Sequence, residues 1–125
     1  MDACLITGAI LALLIAAAHS YLGERFILSR LLRRTELPPL FGNEQFTRQT
    51  LRFAWHLTSI AWVGLAAVLI GFSLEDPQRT RTIALLAISL TFSVHAVATF
   101  IATRGRHLAW IVFIAIALAA WLGVG

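Results

Sequence analysis

The chain has 125 residues, of which 59% are hydrophobic and 13% are charged, and its mean hydropathy is +0.83. The charged fraction is about half of the roughly 25% that soluble domains carry. A soluble fold of this length buries too small a share of its surface to hide so much apolar material. The composition therefore excludes an ordinary soluble domain and predicts an integral membrane protein.

The net charge of +4 comes from ten arginines and six acidic residues, with no lysine. The arginines lie between apolar runs instead of along one soluble face, which argues against nucleic acid as a partner. This distribution favours contact with the headgroups of membrane lipids. Cys4 is the one cysteine of the sequence, so an intramolecular disulfide and a Cys-based metal motif are both excluded.

Four apolar segments without charged residues approach the roughly 20 residues that a helix needs to cross a hydrocarbon core of about 30 Å. They cover residues 3–22, 53–72, 82–103 and 108–124. Helices are expected because an open sheet would leave backbone groups unpaired in lipid. The sequence therefore predicts an all-α fold, a four-helix transmembrane bundle that forms a single domain over residues 1–125.

The uneven distribution of the arginines predicts how the bundle is oriented. Eight of them lie in the connections between the first and second and between the third and fourth segments. The opposite side carries two, Arg79 and Arg81. Because arginine-rich loops remain in the cytoplasm, we expect both termini outside, which for a bacterial inner membrane is the periplasm.

The connection after the first segment is predicted to contain a short amphipathic helix over residues 23–34. Its apolar arc is formed by Ile27, Leu28, Leu31 and Leu32, and its basic residues are Arg25, Arg30, Arg33 and Arg34. Such a pattern is typical of a helix on a membrane surface, so we predict a cytoplasmic interfacial helix whose arginines bind lipid headgroups. The next helix is predicted to begin at Glu44 with Asn43 as its N-cap. The short connection over residues 104–107 is predicted to be a tight turn that makes the third and fourth segments antiparallel neighbours.

Four histidines are the most informative polar residues. His19 and His56 each lie three residues from the cytoplasmic end of their segments, and His95 lies eight residues from the end of its own. His107 lies at the mouth of the fourth segment and is interpreted as a solvated interfacial residue. His19, His56 and His95 each share a helix face with small or polar residues. We therefore expect these three histidines to converge inside the bundle.

Neutral imidazole is a common ligand of zinc, iron and copper, and paired histidines on adjacent helices can ligate haem b. The sequence therefore predicts a site for a transition metal ion or haem b, formed by His19, His56 and His95, with a redox role. Glu24 is a further candidate metal ligand. The same histidines could instead relay protons, hydrogen-bond a quinone or join helices structurally. No strict motif decides between these uses or shows that the protein is an enzyme.

A second interpretation is a non-catalytic accessory or assembly subunit that packs against a larger membrane complex, or a homo-oligomer. It is supported by the small size of the chain and by a seam of small residues on the first segment. The seam consists of Gly8, Ala12, Ala16 and Ser20, which repeat every four residues. Small residues at this spacing allow transmembrane helices to approach closely.

Overall fold

The computed structural model describes residues 2–34, 37–40, 42–74 and 76–124, and these residues form four helices and no strands. The helices are α1 (Ala3–Leu31), α2 (Glu44–Phe72), α3 (Pro77–Thr103) and α4 (Ala109–Leu122). Helices α1, α2 and α3 are long and apolar enough to cross a membrane. The prediction of an all-α protein is confirmed.

Helix α4 is shorter than the sequence predicted. It has 14 residues, which at 1.5 Å per residue gives a length of about 21 Å. This is less than the roughly 30 Å of a hydrocarbon core. Length and composition therefore identify three candidate membrane-crossing helices, where the sequence predicted four.

Helix α1 continues past Leu22, where the sequence analysis ended the first segment. A π-helical segment, Gly23–Leu28, and a last α-helical turn, Ser29–Leu31, prolong it without a break. The prediction of a separate interfacial helix beginning at Gly23 is therefore wrong. No proline interrupts the backbone hydrogen bonds here, and Leu28 is buried with 2% of its surface exposed. Packing of this residue favours continuation of the helix.

The helices pack in the order in which they follow along the chain. Backbones approach closely between α1 and α2, between α2 and α3, and between α3 and α4. Over the described residues, no Cα atom of α1 comes within 8 Å of one in α3 or α4. The molecule is therefore an open antiparallel bundle, in which α1 and α4 are the outer helices.

The distribution of large and small apolar residues is the reverse of that in a soluble protein. The buried apolar residues include Ala9, Ala16, Ala66, Ala96, Ala117 and Ala120. Large side chains point outward, as Leu14, Leu90 and Leu122 do with 62%, 68% and 78% of their surfaces exposed. Small residues at helix contacts are characteristic of transmembrane helices, because lipid already solvates the large side chains.

Two local predictions about helix ends are confirmed. Asn43 caps α2, since its side chain accepts hydrogen bonds from the backbone amides of Gln45 and Phe46. The chain turns tightly between α3 and α4, where Arg104 and Gly105 both have positive φ, 51° and 75°. A left-handed residue pair after a helix reverses the chain direction, which makes α3 and α4 antiparallel neighbours.

Gly64 allows α2 and α3 to approach closely. A Cβ atom at this position would overlap Thr91 Oγ1 and lie 3.1 Å from Thr91 Cβ. We expect Gly64→Ala to lower the free energy of unfolding by about 1–3 kcal/mol, the usual cost of overpacking. The measurement is the thermal midpoint of the purified protein in detergent.

Gly8→Ala is the matched control for this substitution. Its added Cβ would meet Leu69 Cδ1 at 3.6 Å, an ordinary van der Waals distance. The control should therefore leave the thermal midpoint unchanged or slightly higher. Equal decreases of the thermal midpoint in the two variants would contradict the close contact at Gly64.

Candidate functional site

Four polar side chains of α1 and α2 meet near the end of the molecule that carries most of the arginines, here called the arginine-rich end. His19 Nδ1 lies 3.0 Å from Ser59 Oγ, and Ser20 Oγ lies 3.0 Å from His56 Nδ1. Ser20 Oγ lies 2.9 Å from Ser59 Oγ, and either hydroxyl can donate to the other. The four groups therefore form one continuous hydrogen-bonded series, which we call the histidine–serine chain.

The histidine–serine chain continues to a carboxylate. His56 Nε2 lies 3.3 Å from Glu24 Oε2, and Arg52 Nη2 lies 3.1 Å from Glu24 Oε1. Glu24 follows Ser20 by four residues on α1, so both lie on the face toward α2. The side chains of Glu24 and Arg52 are 40% and 52% exposed. The polar path thus begins at the protein surface and ends at His19.

Two tryptophans of α2 hold the ring of His19. Trp55 stacks on it with ring centroids 4.4 Å apart and planes 4° from parallel, and Trp62 meets it edge-on at 4.9 Å. Trp55 Nε1 also donates to the carbonyl oxygen of His19 at 3.0 Å. Gly23 provides the space for the Trp55 indole. These contacts fix the orientation in which His19 faces the serines.

The first proton arrangement of the chain contains only neutral histidines. Each serine hydroxyl can donate one hydrogen bond while accepting another, and its hydrogen rotates freely. With the hydroxyls turned toward His56, His19 Nδ1–H donates to Ser59, and Ser59 donates to Ser20. Ser20 then donates to His56 Nδ1, and His56 Nε2–H donates to the carboxylate of Glu24.

The second arrangement holds one more proton, with both hydroxyls reversed. Ser20 donates to Ser59, and Ser59 donates to His19 Nδ1, so that His19 carries its hydrogen on Nε2. His56 then donates through both nitrogens and is an imidazolium paired with Glu24. A proton added at His19 Nε2 converts the first arrangement into the second by shifts along the existing hydrogen bonds. The geometry therefore permits proton transfer between His19 and Glu24.

His95 lies away from this chain. Its ring is buried on α3, where Nδ1 donates to the carbonyl oxygen of Thr91 at 2.8 Å. The ring contacts Phe92 and, on α4, Phe113, with centroids 5.7 and 5.5 Å away. No described hydrogen bond or ring contact joins it to His19 or His56. The structure thus brings together two of the three histidines that were expected to converge.

The described residues do not form the predicted metal centre. Within the described part of the chain, no group of three or more His, Cys, Asp or Glu residues could hold a metal ion. Both ring nitrogens of His56 are occupied, by Ser20 and Glu24. His95 contributes to a different helix pair. The four candidate ligands therefore do not form a shared centre.

The predicted headgroup residues are all exposed at the arginine-rich end: Arg25, Arg30, Arg33 and Arg34. His107 is also exposed and contacts the Phe53 ring edge-on at 6.5 Å. A second group of arginines, not identified as a site from the sequence, lines a cavity of about 610 Å³ between α2 and α3. These are Arg48, Arg52 and Arg104.

Neither the serines nor the tryptophans of the site were predicted to be site residues, although Ser20 was placed in the seam of small residues on the first segment. Trp55, Ser59 and Trp62 are spaced by four and three residues, which places them on one face of α2. His56 and Ser59 share a face at the same spacing. This periodicity was the available signal, since a polar and aromatic face within an apolar segment points toward another helix.

Gly23→Ala should disturb the site specifically. The new Cβ would overlap Trp55 Nε1 and lie 2.7 Å from Trp55 Cζ2, and a rigid indole cannot yield without leaving His19. We expect the ring protons of His19 to shift downfield in NMR spectra, because they lose the shielding of the stacked indole. Trp55→Phe, which keeps an aromatic ring, should produce a smaller shift, and unchanged His19 resonances in both variants would contradict the stacking.

Known proteins offer no template for this site. No protein-family model, curated protein or solved structure matches the chain. What the site can do therefore follows from its own hydrogen bonds and surroundings, which combine a surface carboxylate with two histidines linked by hydroxyl groups.

Proposed function

We propose that the chain is a small integral membrane protein in which α1 and α2 relay protons between the arginine-rich surface and His19. The observation that carries the proposal is the unbroken hydrogen-bonded series from Glu24 through His56, Ser20 and Ser59 to His19. Histidine changes its charge near neutral pH and both donates and accepts protons. Ionisable residues within membrane segments commonly serve proton relays.

The relay serves a reaction within one half of the bilayer. His19 precedes Glu24 by five residues, which corresponds to about 7.5 Å along a helix axis. This is far shorter than a hydrocarbon core, so the relay alone does not carry protons across the membrane. Its partner at His19 must exchange a proton from the apolar side, and a lipid-soluble redox carrier of the quinone type has this chemistry.

The relay accounts for more of the geometry than the metal and haem alternatives do. A ligand to a metal ion must present a free nitrogen, whereas both nitrogens of His56 have partners. Each bond of the series joins a donor to an acceptor without any added ion. The accessory-subunit alternative would require only that these bonds hold α1 against α2, without movement of protons.

NMR spectra of the histidine side chains distinguish a proton relay from a set of fixed hydrogen bonds. The protein would be labelled with ¹⁵N-histidine, reconstituted in lipid and titrated with acid. We expect protonation of His56 to be accompanied by a change of the His19 tautomer from Nδ1–H to Nε2–H. Ser59→Ala should abolish this coupling, because it removes the hydroxyl that joins the two rings.

Ser93→Ala is the control, since this exposed hydroxyl of α3 lies outside the histidine–serine chain. It should leave the coupling intact. If His19 keeps one tautomer throughout the protonation of His56 in the unaltered protein, the relay is disproved. The hydrogen bonds would then be structural, as the accessory-subunit alternative requires.

We further propose that the chain lies in a bacterial inner membrane, with the α1–α2 and α3–α4 connections in the cytoplasm and both termini outside. The support is the excess of arginine in those two connections. Helix α4 has 14 residues, but the apolar stretch around it covers residues 108–124. Seventeen residues are near the lower limit for crossing.

The topology can be tested at each terminus separately. Cys4 is exposed near the start of α1 and should react with a membrane-impermeant maleimide applied from the periplasmic side, with Cys4→Ser as the blank. A C-terminal alkaline phosphatase fusion should be active. Labelled Cys4 together with an inactive phosphatase fusion would show that α4 does not cross, and protection of Cys4 would reverse the proposed orientation.

A further inference from the structure

A cavity between α2 and α3 opens at the arginine-rich end of the molecule. Its volume is about 610 Å³, within the 300–1,000 Å³ range typical of ligand pockets. Three arginines line it. Arg48 and Arg52 belong to α2, and Arg104 is the residue that follows α3. Gln45, Gln49 and His56 also line it, and the rest of the wall is apolar, with Leu57, Ile60 and Ala98 among its residues. We call this cavity the α2–α3 groove.

The polarity of the groove changes with depth. Arg48 and Arg52 lie in the first nine residues of α2, and Arg104 caps the adjacent end of α3. Ile60 lies eight residues beyond Arg52, or about 12 Å farther along the helix. The groove therefore runs parallel to the helices, with positive charge at its mouth and apolar walls farther in.

The positive charge at the mouth is only partly neutralised within the protein. Arg48 pairs with Glu44 at 3.4 Å, and Arg52 pairs with Glu24 at 3.1 Å. Arg104 has no ion-pair partner among the described residues. Guanidinium groups bind phosphate oxygens through paired hydrogen bonds and are therefore suited to phosphate recognition.

We propose that the α2–α3 groove binds one anionic phospholipid. Its phosphate would lie between the guanidinium groups at the mouth, and one acyl chain would follow the apolar wall past Leu57, Ile60 and Ala98. Basic pockets between transmembrane helices on the cytoplasmic side bind anionic headgroups in this way. A free phosphate ion would leave the apolar part of the groove unused, and the cationic amine of a zwitterionic lipid would offset the attraction between its phosphate and the arginines.

Native mass spectrometry of the full chain in detergent tests the proposal. The protein would be titrated with dioleoyl phosphatidylglycerol, with dioleoyl phosphatidylcholine, which has the same acyl chains, and with inorganic phosphate. We expect one phosphatidylglycerol to bind with an affinity at least fivefold higher than that of phosphatidylcholine. Inorganic phosphate should not compete, because it lacks the chain that occupies the apolar wall.

Two variants test the two ends of the groove. Arg104→Gln should weaken phosphatidylglycerol binding about fivefold, the effect expected for one charge near the surface. Ala98→Phe keeps every charge but fills the apolar wall, and it should remove the bound lipid. The controls are Arg81→Gln, at the opposite end of α3, and Ala115→Phe, on the exposed surface of α4.

Equal affinities of the unaltered protein for the two lipids would overturn the proposal. This comparison does not require any variant to fold. Competition by inorganic phosphate would identify an ion site in place of a lipid site. If Arg81→Gln or Ala115→Phe reduced phosphatidylglycerol binding as much as the groove variants do, the lipid would be associated diffusely with the protein surface. A failed histidine relay would leave all of these outcomes unaffected, since neither groove variant alters the histidine–serine chain.

Discussion

The close approach of α1 and α2 is the constraint on which the site depends. A hydrogen bond of 2.9 Å between Ser20 and Ser59, whose side chains are short, requires the backbones of α1 and α2 to lie close together. Ala16 on α1 and Ala66 on α2 are buried to 3% and 1% exposure, and Gly23 on α1 leaves the space that the Trp55 indole occupies. Larger residues there would hold Ser20 and Ser59 apart, and both histidines would then lose their partners.

The cost of an unpaired polar group in an apolar medium explains why the polar series is continuous. An isolated hydroxyl or imidazole transferred from water into an apolar environment loses several kcal/mol, roughly 2–7 by common reference scales. Each internal member of the series has a neighbour that supplies a donor or acceptor, and the series ends at a half-exposed carboxylate. The same reasoning applies to His95, whose Nδ1 is bonded to the Thr91 carbonyl of its own helix.

Much of the fold could be predicted from the sequence, because it depends on local signals. Composition predicted helices, the side chain of Asn43 predicted the start of α2, and the short connection after Thr103 predicted antiparallel neighbours. The continuation of α1 through Gly23 could not be predicted, because it depends on tertiary packing of Leu28. The end of α4 at Leu122 does have a signal in the sequence, because Gly123 follows it and glycine commonly ends a helix, but the predicted segment extended to residue 124.

The candidate site was only partly predictable for a related reason. Depth along a helix can be counted from sequence, and it correctly paired His19 with His56. The direction in which a side chain points depends on which helices are neighbours. His95 has a polar helix face like the other two histidines, but in this open bundle its ring contacts Phe113 of α4, and α1 is not a neighbour of α3. Sequence periodicity predicts which residues share a helix face. Which neighbouring helix that face contacts depends on the packing order of the bundle.

The relay and the groove meet at two residues, Arg52 and His56, and this connects the two proposals physically. Arg52 lines the groove and also holds Glu24, the carboxylate at which the relay ends. A phosphate at the mouth of the groove would compete with Glu24 for the Arg52 guanidinium. Glu24 would then have His56 as its remaining partner. An anionic lipid in the groove would therefore rearrange the ion pairs at the surface end of the histidine–serine chain.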